Sequence, residues 1–295
     1  MPLEPSTRSI TYAPLLDEFA REVSDEDPDR IDTDPVSRST ALRQAADLVD
    51  PDWVVVTDSG GLASPEAAVE EPDAPLEFGE PAVADLAEVV GILAEIRTEP
   101  IVAHVPDPVS LALETFGERW TSLLDSDDYA ALDVLHGASQ LLSDVLRSFD
   151  GTCDGLVLDA TSLPAVAGKL SLDDYLFETG PVFNVADHHN VSVLGVFPAT
   201  YVDEYDPLAE AFDFVVFDSL APAGLDELTG LSPGVGCSFD EAFWDAADGD
   251  TFRQHCEEYL DAVASTEILL LQPIPGTVEP EFVQILGDEL ESRTS

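Results

Sequence analysis

Basic residues are scarce in this chain of 295 residues: 11 lysines and arginines stand against 61 aspartates and glutamates, which gives a formal net charge of −50 at pH 7. Lys169 is the only lysine. Because nucleic acids and anionic membranes are bound through clustered Lys and Arg, the composition argues against both as partners. The expected partner is a small-molecule substrate or ligand, and the sequence leaves the oligomeric state open.

The acidic residues are spread from end to end, and the charged fraction is an ordinary 24% beside 45% hydrophobic residues. This composition is typical of a folded globular protein and not of a disordered acidic tail. Self-repulsion of this size is tolerable where salt screens charges within about 3 Å, as at 1 M. The sequence therefore predicts a protein from the cytoplasm of an extreme halophile.

Cysteines and long apolar runs are also few. Cys153, Cys237 and Cys256 are widely separated and form no Cys-x-x-Cys pair, which favours free thiols in a reducing compartment over a disulfide framework. No stretch approaches the roughly 18 apolar residues that a membrane helix needs. The N-terminal residues lack the basic start and apolar core of a signal peptide. These absences favour a cytoplasmic protein that is not inserted in a membrane.

Several motifs that hold cofactors or activate nucleophiles are missing. The dinucleotide fingerprint Gly-x-Gly-x-x-Gly after a strand, the phosphate loop Gly-x-x-x-x-Gly-Lys and the nucleophile elbow Gly-x-Ser-x-Gly do not occur. The adjacent His188 and His189 would point about 100° apart in a helix and so would not share a metal. The sequence thus predicts no cofactor and no metal site.

Seven short apolar segments have the length and β-branched content of buried strands. Segments of helical periodicity or helical length separate them. One further helix is predicted to start at Pro181, since the first position of a helix tolerates a missing N–H. The predicted strands are Trp53–Val56, Ile101–Val105, Gly155–Leu158, Val191–Val196, Phe214–Phe217, Val235–Cys237 and Ile268–Leu271.

This alternation of strands and helices predicts a single α/β domain with a parallel sheet. A (β/α)8 TIM barrel is the preferred fold, with one strand not located, and a doubly wound open sheet is the alternative. Residues 1–50 are predicted to form a helical segment packed on the barrel, which then spans residues 51–295. Ala63–Pro81, rich in Pro, Glu and Ala, is either a lid or a long surface loop.

The stretch Asp52–Gly61 combines a strand with a polar turn. The apolar run Trp53–Val56 is followed by Thr57, Asp58 and Ser59, and then by two glycines. This order places the carboxylate of Asp58 at the carboxyl end of a core strand, where parallel α/β folds collect ligands and catalytic groups. Alternatively, Asp58 only caps the turn that follows, because Asp is a common cap and turn residue.

In a barrel, the polar residues that end the predicted strands should converge on one rim. Several carboxylates in one cleft suit general acid–base catalysis, because the proximity of like charges raises a pKa. Each carboxylate could equally be a loop cap, and His104 could be a hydrogen-bonded core histidine. The strand-end residues are Asp58, His104, Asp107, Asp159, Asp218, Cys237 and Gln272.

Four segments of the chain occur in the order and spacing of motifs in a known superfamily. They resemble the uroporphyrinogen decarboxylase family and its relatives, the zinc-dependent, corrinoid-linked methyltransferases and cobalamin-independent methionine synthase. The resemblance extends over about residues 33–291 and implies a (β/α)8 barrel. The segments that carry it are residues 34–59, Ile101–Leu113, Cys153–Asp159 and Leu269–Pro280.

The resemblance also implies roles for particular positions. Asp58 matches the aspartate that faces the pyrrole nitrogens of a tetrapyrrole in the decarboxylases. Their N-terminal Arg-Gln-Ala-Gly-Arg segment, which binds substrate carboxylates, has no counterpart in residues 1–50. The positions of the methyltransferases' zinc ligands read Gly195-Val196-Phe197 and Gln272 here, without a thiolate or an imidazole.

We therefore expect a divergent, metal-independent decarboxylase or methyltransferase that acts on a tetrapyrrole- or methyl-carrier-related substrate. The alternative is a barrel that kept its scaffold and acts as a non-catalytic binding or interaction protein. The expected catalytic residues are Asp58, Asp159 and His104, and the expected substrate-binding residues are Ser59, Gly60, Asp107, Asp218 and Gln272.

Overall fold

A computed structural model of the chain describes residues 3, 10–65, 76–126, 129–225, 228, 231, 234–263 and 267–293. Within these residues, eight strands form one sheet in the order β1-β8-β7-β6-β5-β4-β3-β2, and every neighbouring pair is parallel. The strands are β1 (Ile10–Tyr12), β2 (Val54–Thr57), β3 (Ile101–Pro106), β4 (Gly155–Asp159), β5 (Ser192–Pro198), β6 (Phe214–Leu220), β7 (Val235–Phe239) and β8 (Ile268–Leu270).

The two end strands of that order, β1 and β2, meet and close the sheet on itself. The N–H groups of Asp52 and Trp53 donate to the carbonyl oxygen of Tyr12 at 2.8 and 3.3 Å. Leu15 forms a parallel bridge to Val55. The fold is therefore a single-domain (β/α)8 barrel, which confirms the preferred prediction, and the open-sheet alternative is wrong.

Helices surround the barrel and bury their apolar stripes on the outward-facing side chains of the strands. None of the helices in the described ranges is long and apolar enough to cross a membrane. The helices are α1 (Asp17–Val23), α2 (Pro28–Ile31), α3 (Pro35–Val49), α4 (Ala84–Ile96), α5 (Pro108–Phe116), α6 (Glu118–Asp125), α7 (Ala130–Ser148), α8 (Leu172–His189), α9 (Tyr205–Ala211), α10 (Pro222–Leu225), α11 (Gly249–Val263) and α12 (Pro280–Ser292).

Side chains along each strand alternate between the barrel interior and the helix layer, because successive residues of a strand point to opposite faces. Val102 and Val157 belong to the interior cluster, together with Trp53, whose ring meets that of Phe214 edge-on at 5.4 Å. Cys237 has the opposite orientation and is buried in the outer layer. The prediction that Cys237 reaches the rim is therefore wrong.

The strand that the sequence did not locate is β1, which lies in the N-terminal segment. Ile10–Tyr12 pairs with β8, so that Ile10 stands opposite Ile268. The remainder of that segment forms α1, α2 and α3. Residues 10–12 therefore complete the sheet from within the segment predicted to be helical, and the division of the chain at residue 50 stays a prediction.

The helix α8 departs from its prediction at Pro181. The helix begins after Ser171, whose hydroxyl accepts a hydrogen bond from the Asp174 N–H (3.1 Å), and it continues through Pro181. Pro181 removes one backbone hydrogen bond from the helix interior but does not start or end the helix. The start is set by the Ser171 cap upstream. The predicted start at Pro181 is wrong.

The segment Ala63–Pro81 lies in large part outside the described residues, which omit 66–75. At its described ends, Pro65 and Phe78 form an antiparallel bridge. Phe78 packs on Phe116 of α5, with ring centroids 4.8 Å apart. The choice between a lid and a surface loop stays a prediction.

Candidate active site

The carboxyl ends of β2, β3 and β4 enclose a pocket of about 260 Å³. Barrels of this kind place their active sites at the carboxyl ends of the strands. The three residues predicted to be catalytic all contribute to this one pocket. Its lining residues are Thr57, Asp58, His104, Pro106, Ser110, Glu114, Asp159, Thr161 and Ser162.

Asp58 caps its own turn and also lines the pocket. The N–H of Gly60 donates to Asp58 Oδ2 at 3.2 Å. Gly60 and Gly61 have φ values of +95° and +86°, a backbone conformation that favours glycine. Burial raises the pKa of Asp58, against the Gly60 hydrogen bond and the charges of Arg38 and His104, which lower it. Asp58 therefore caps the turn, and the same carboxylate lies in the pocket.

His104 lies in the pocket wall and is only 8% exposed. Its Nε2 is 3.7 Å from Asp159 Oδ2, which is too long for a hydrogen bond. Its Nδ1 has no hydrogen-bond partner among the described residues. Burial lowers the pKa of His104, although the carboxylates of Asp159, Asp17 and Asp58 raise it in part. The imidazole is therefore neutral near pH 7.

Asp159 and Glu114 add two more carboxylates to the pocket lining. Asp159 Oδ1 accepts hydrogen bonds from the N–H (3.0 Å) and the hydroxyl (2.6 Å) of Thr161, which fix the orientation of this carboxylate. Glu114 stands on α5 at the entrance, where partial burial and the charges of Asp58 and Asp159 raise its pKa. The described lining residues include no lysine or arginine to neutralise these carboxylates.

Arg38 supports the pocket from behind. Its guanidinium donates to Asp17 Oδ1 (2.5 Å) and to the carbonyl oxygen of Thr57. The Thr57 N–H donates to Asp17 Oδ2 at 3.3 Å. This buried ion pair therefore joins α1 and α3 to the end of β2, next to Asp58. Arg38 is not among the residues predicted for the site.

The predicted substrate-binding residues do not line the pocket. Ser59 and Gly60 lie in the exposed turn beyond Asp58. Asp218 lies at the end of β6, where its Oδ1 accepts a hydrogen bond from the Ser238 hydroxyl (2.5 Å), although its charge still acts on His104. The pocket lining does not include Ser59, Gly60, Asp107, Asp218 or Gln272.

Gln272 and Asp107 have structural roles in place of the predicted substrate contacts. Gln272 is 2% exposed, and its Oε1 accepts a hydrogen bond from the Phe239 N–H (2.7 Å), which ties the chain after β8 to β7. Asp107 is fully buried and caps α5, because the Ser110 N–H donates to its Oδ1 at 2.7 Å. Both side chains are thus used within the fold.

The sequence analysis did not predict four polar residues of the pocket lining: Ser110, Glu114, Thr161 and Ser162. Ser110 and Glu114 are four residues apart in α5, a spacing that places side chains on one face of a helix. Since α5 begins immediately after β3, that spacing was the available signal for two of the four. The two hydroxyls after β4 follow an ordinary loop sequence and carry no such signal.

No protein-family model matches the sequence, and no curated protein matches it. Solved structures do match the fold. A methyltransferase from Methanosarcina mazei has a TM-score of 0.65 and 12% identity, over 94% of this chain and 89% of that chain. A putative vitamin-B12-independent methionine synthase from Listeria monocytogenes has a TM-score of 0.54 and 12% identity, over 92% and 89%. The GH5_18 protein from Bifidobacterium longum, in complex with Manb1-4GlcNAc, has a TM-score of 0.57 and 14% identity, over 96% and 78%. The shared feature is the barrel.

The positions that the resemblance assigns to zinc ligands do not suit a metal. Phe197 is buried in the outer layer, with its ring 6.4 Å from that of Tyr175, and Gly195 has no side chain to donate. The amide of Gln272 is engaged by the Phe239 N–H. Within the described part of the chain, no three His, Cys, Asp or Glu side chains are grouped so as to hold a metal ion.

Proposed function

We propose that the protein is a divergent, methyltransferase-like barrel enzyme of the superfamily that contains the uroporphyrinogen decarboxylases, the corrinoid-linked methyltransferases and cobalamin-independent methionine synthase. Its pocket would bind a small methyl acceptor. The observation that carries the proposal is the convergence of Asp58, His104 and Asp159 in one pocket at the carboxyl ends of the strands. The likeness to the M. mazei methyltransferase and the L. monocytogenes protein supports this choice.

The pocket offers the proton transfer that methyl transfer requires. The acceptor atom forms a bond to the methyl carbon, the bond from that carbon to the methyl carrier breaks, and the acceptor releases its proton. Neutral His104 accepts this proton as a general base. Asp159, whose Oδ2 is 3.7 Å from Nε2, stabilises the imidazolium that forms. Asp58 binds the acceptor in the adjoining wall.

Decarboxylation of a porphyrinogen receives less support from the pocket. Its volume of about 260 Å³ is small for a macrocycle of four pyrroles, since small-molecule sites usually measure about 300–1,000 Å³. Substrate carboxylates would meet Asp58, Glu114 and Asp159 and no described lining arginine or lysine. Like charges in a partly buried site repel, so a polycarboxylate is a poor ligand here.

A non-catalytic binding barrel is the second candidate, and one observation favours it. Phe197 and Gln272, at positions where the resemblance places zinc ligands, serve the core and the backbone of β7. A barrel that abandoned the chemistry of its relatives would keep its scaffold in this way. For either candidate, we propose that the protein works in the cytoplasm of a halophile and has no nucleic-acid or membrane partner. The net charge of −50 supports the halophilic origin and the absence of such partners.

The proposed methyltransferase activity is tested by following the demethylation of methylcobalamin in molar KCl, with thiols and amines as acceptors. The visible spectrum of the corrinoid reports loss of the methyl group. We expect turnover by the native protein and a decrease of about 10²–10⁴-fold in His104→Gln, because a general base is removed. Asp58→Asn should abolish acceptor binding, measured as ligand-induced thermal stabilisation, and leave the unliganded unfolding temperature unchanged.

Asp173→Asn is the matched control, since Asp173 is an exposed aspartate in the first turn of α8, outside the pocket. It should retain native turnover. Full turnover by His104→Gln would contradict the assigned base. Methyltetrahydrofolate is tested in parallel as a methyl donor. Binding of donors or acceptors without turnover would contradict the proposed enzymatic activity and support the non-catalytic binding barrel. Stoichiometric zinc in the purified protein would overturn the metal-independent mechanism.

A further inference from the structure

Three carboxylates surround the pocket without a partner of opposite charge in its lining. Asp58 and Asp159 stand at the ends of β2 and β4, on either side of β3, and Glu114 stands on α5. The Glu114 side chain forms no hydrogen bond or ion pair with another described residue, and Arg38 is engaged by Asp17. Bringing like charges together in a partly buried site is unfavourable unless a cation joins them.

His104 supplies a second and independent sign that a ligand belongs here. Its side chain lines the pocket although the residue is more than nine-tenths buried, at 8% exposure. Neither ring nitrogen has a hydrogen-bond partner within the described residues, since Nδ1 is unpartnered and Nε2 is 3.7 Å from Asp159. Buried polar groups in folded proteins are nearly always hydrogen-bonded, so an unpartnered imidazole in a pocket wall calls for a ligand.

The arrangement of these groups favours an extended cation over a single ion. The described residues hold no group of three His, Cys, Asp or Glu side chains that could coordinate one metal ion. The carboxylates instead come from three different elements around a pocket of about 260 Å³, which has room for a small organic molecule. The hydroxyls of Thr57, Ser110 and Thr161 add hydrogen-bonding partners for such a molecule.

We infer that the pocket takes a small organic cation with N–H donors, a protonated amine or a guanidine. This inference rests on the proposed function and names the chemical class of the acceptor in the same pocket. The bound cation gives one N–H proton to His104 first, and the lone pair that this frees on its nitrogen then forms the bond to the methyl carbon. Asp58 and Asp159 receive the charged N–H groups inside the pocket. Glu114 at the entrance is the specificity-determining residue for positive charge.

Isothermal titration calorimetry at constant molar KCl tests, with four probes, whether the pocket binds organic cations. 1,4-Diaminobutane and agmatine carry N–H donors and positive charge, tetramethylammonium carries charge alone, and 1,4-butanediol is the neutral counterpart of the diamine. We expect diaminobutane or agmatine to bind with at least about tenfold higher affinity than the other two, because hydrogen bonds to charged groups are the stronger ones. Glu114→Gln should weaken that binding by about tenfold or more.

Glu257→Gln is the matched control, because Glu257 is an exposed glutamate of α11, outside the pocket lining. It should leave the affinity unchanged. Equal binding of the diamine and the diol, or equal loss in Glu114→Gln and Glu257→Gln, would overturn the inference. Turnover of a neutral or anionic acceptor that depends on His104, without amine binding, would overturn the inference and leave the proposed function standing. Turnover that is unchanged in His104→Gln would overturn the proposed function itself.

Discussion

Replacing Arg38 with methionine should lower the free energy of unfolding by about 3 kcal/mol, because removal of one partner leaves a buried charge unpaired. The Arg38 side chain is 9% exposed and that of Asp17 is 23% exposed. The variant also loses the hydrogen bond to the Thr57 carbonyl, which joins α3 to the end of β2. Urea-induced unfolding in molar KCl measures the change.

Arg43→Met is the control for this prediction, since Arg43 lies on the same helix. Its pair with Asp47 at 3.3 Å is exposed on both sides, at 41% and 53%. Exposed pairs contribute at most about 1 kcal/mol, and molar salt reduces this further. The double variant Arg38→Met with Asp17→Asn should recover part of the stability, because no unpaired charge remains. Equal losses in Arg38→Met and Arg43→Met would contradict the structural role of Arg38.

The free energy of unfolding of the native protein should fall by roughly 3 kcal/mol between pH 5 and pH 8 because of Asp107. Replacing Asp107 with asparagine should abolish this decrease. Burial raises the pKa of Asp107 to about 7, and the charge of Asp159 adds to the effect, whereas Ser110 and Tyr175 lower it. A carboxyl with a raised pKa in the folded chain stabilises that chain fully below the unfolded pKa, near 3.8. This contribution is lost as the pH rises through the folded value.

The magnitude follows from roughly 1.4 kcal/mol for each of the two pH units between pH 5 and the folded pKa of about 7. Asparagine keeps the helix cap and has no proton to lose. Unfolding free energies of the native protein and of Asp107→Asn should therefore diverge as the pH rises, with the variant relatively more stable at pH 8 than at pH 5. Urea unfolding at four pH values in constant molar KCl measures the divergence.

Asp34→Asn is the matched control, because Asp34 caps α3 in the same tetrapeptide, Asp-Pro-Val-Ser. The Ser37 N–H donates to Asp34 Oδ2 at 3.2 Å. The hydrogen bond from the Ser37 hydroxyl lowers the pKa of Asp34, so its contribution is lost only as the pH falls below the usual carboxyl range. The difference between Asp34→Asn and the native protein should stay flat from pH 5 to pH 8. A flat difference for Asp107→Asn would contradict the raised pKa.

The strands that the sequence predicted share a run of apolar, β-branched residues that would be costly to expose. All seven appear in the structure, with ends shifted by a few residues. Strand β1 escaped prediction because Ile10–Tyr12 is too short to show a periodic pattern, and its pairing with β8 joins residues far apart in the chain. The closure of the barrel is therefore a tertiary effect that local patterns do not contain.

The candidate site was predictable to the extent that strand ends are predictable. Asp58, His104 and Asp159 were placed on one rim by the barrel fold, and they line one pocket. Gln272 and Asp107 also follow strands, but backbone N–H groups engage their side chains. Only the packed structure shows which strand-end side chain meets a pocket and which meets a neighbouring backbone.

The two copies of Asp-Pro-Val-Ser separate what the sequence determines from what the fold determines. Each copy starts a helix, because the aspartate side chain accepts the serine N–H and the proline occupies the first turn. That much is local and was readable from the residues. The pKa of Asp34 is lowered and that of Asp107 is raised, since only Asp107 is enclosed by the barrel and its helices, away from water. Burial, which decides the charge of the same residue in the same motif, belongs to the tertiary structure alone.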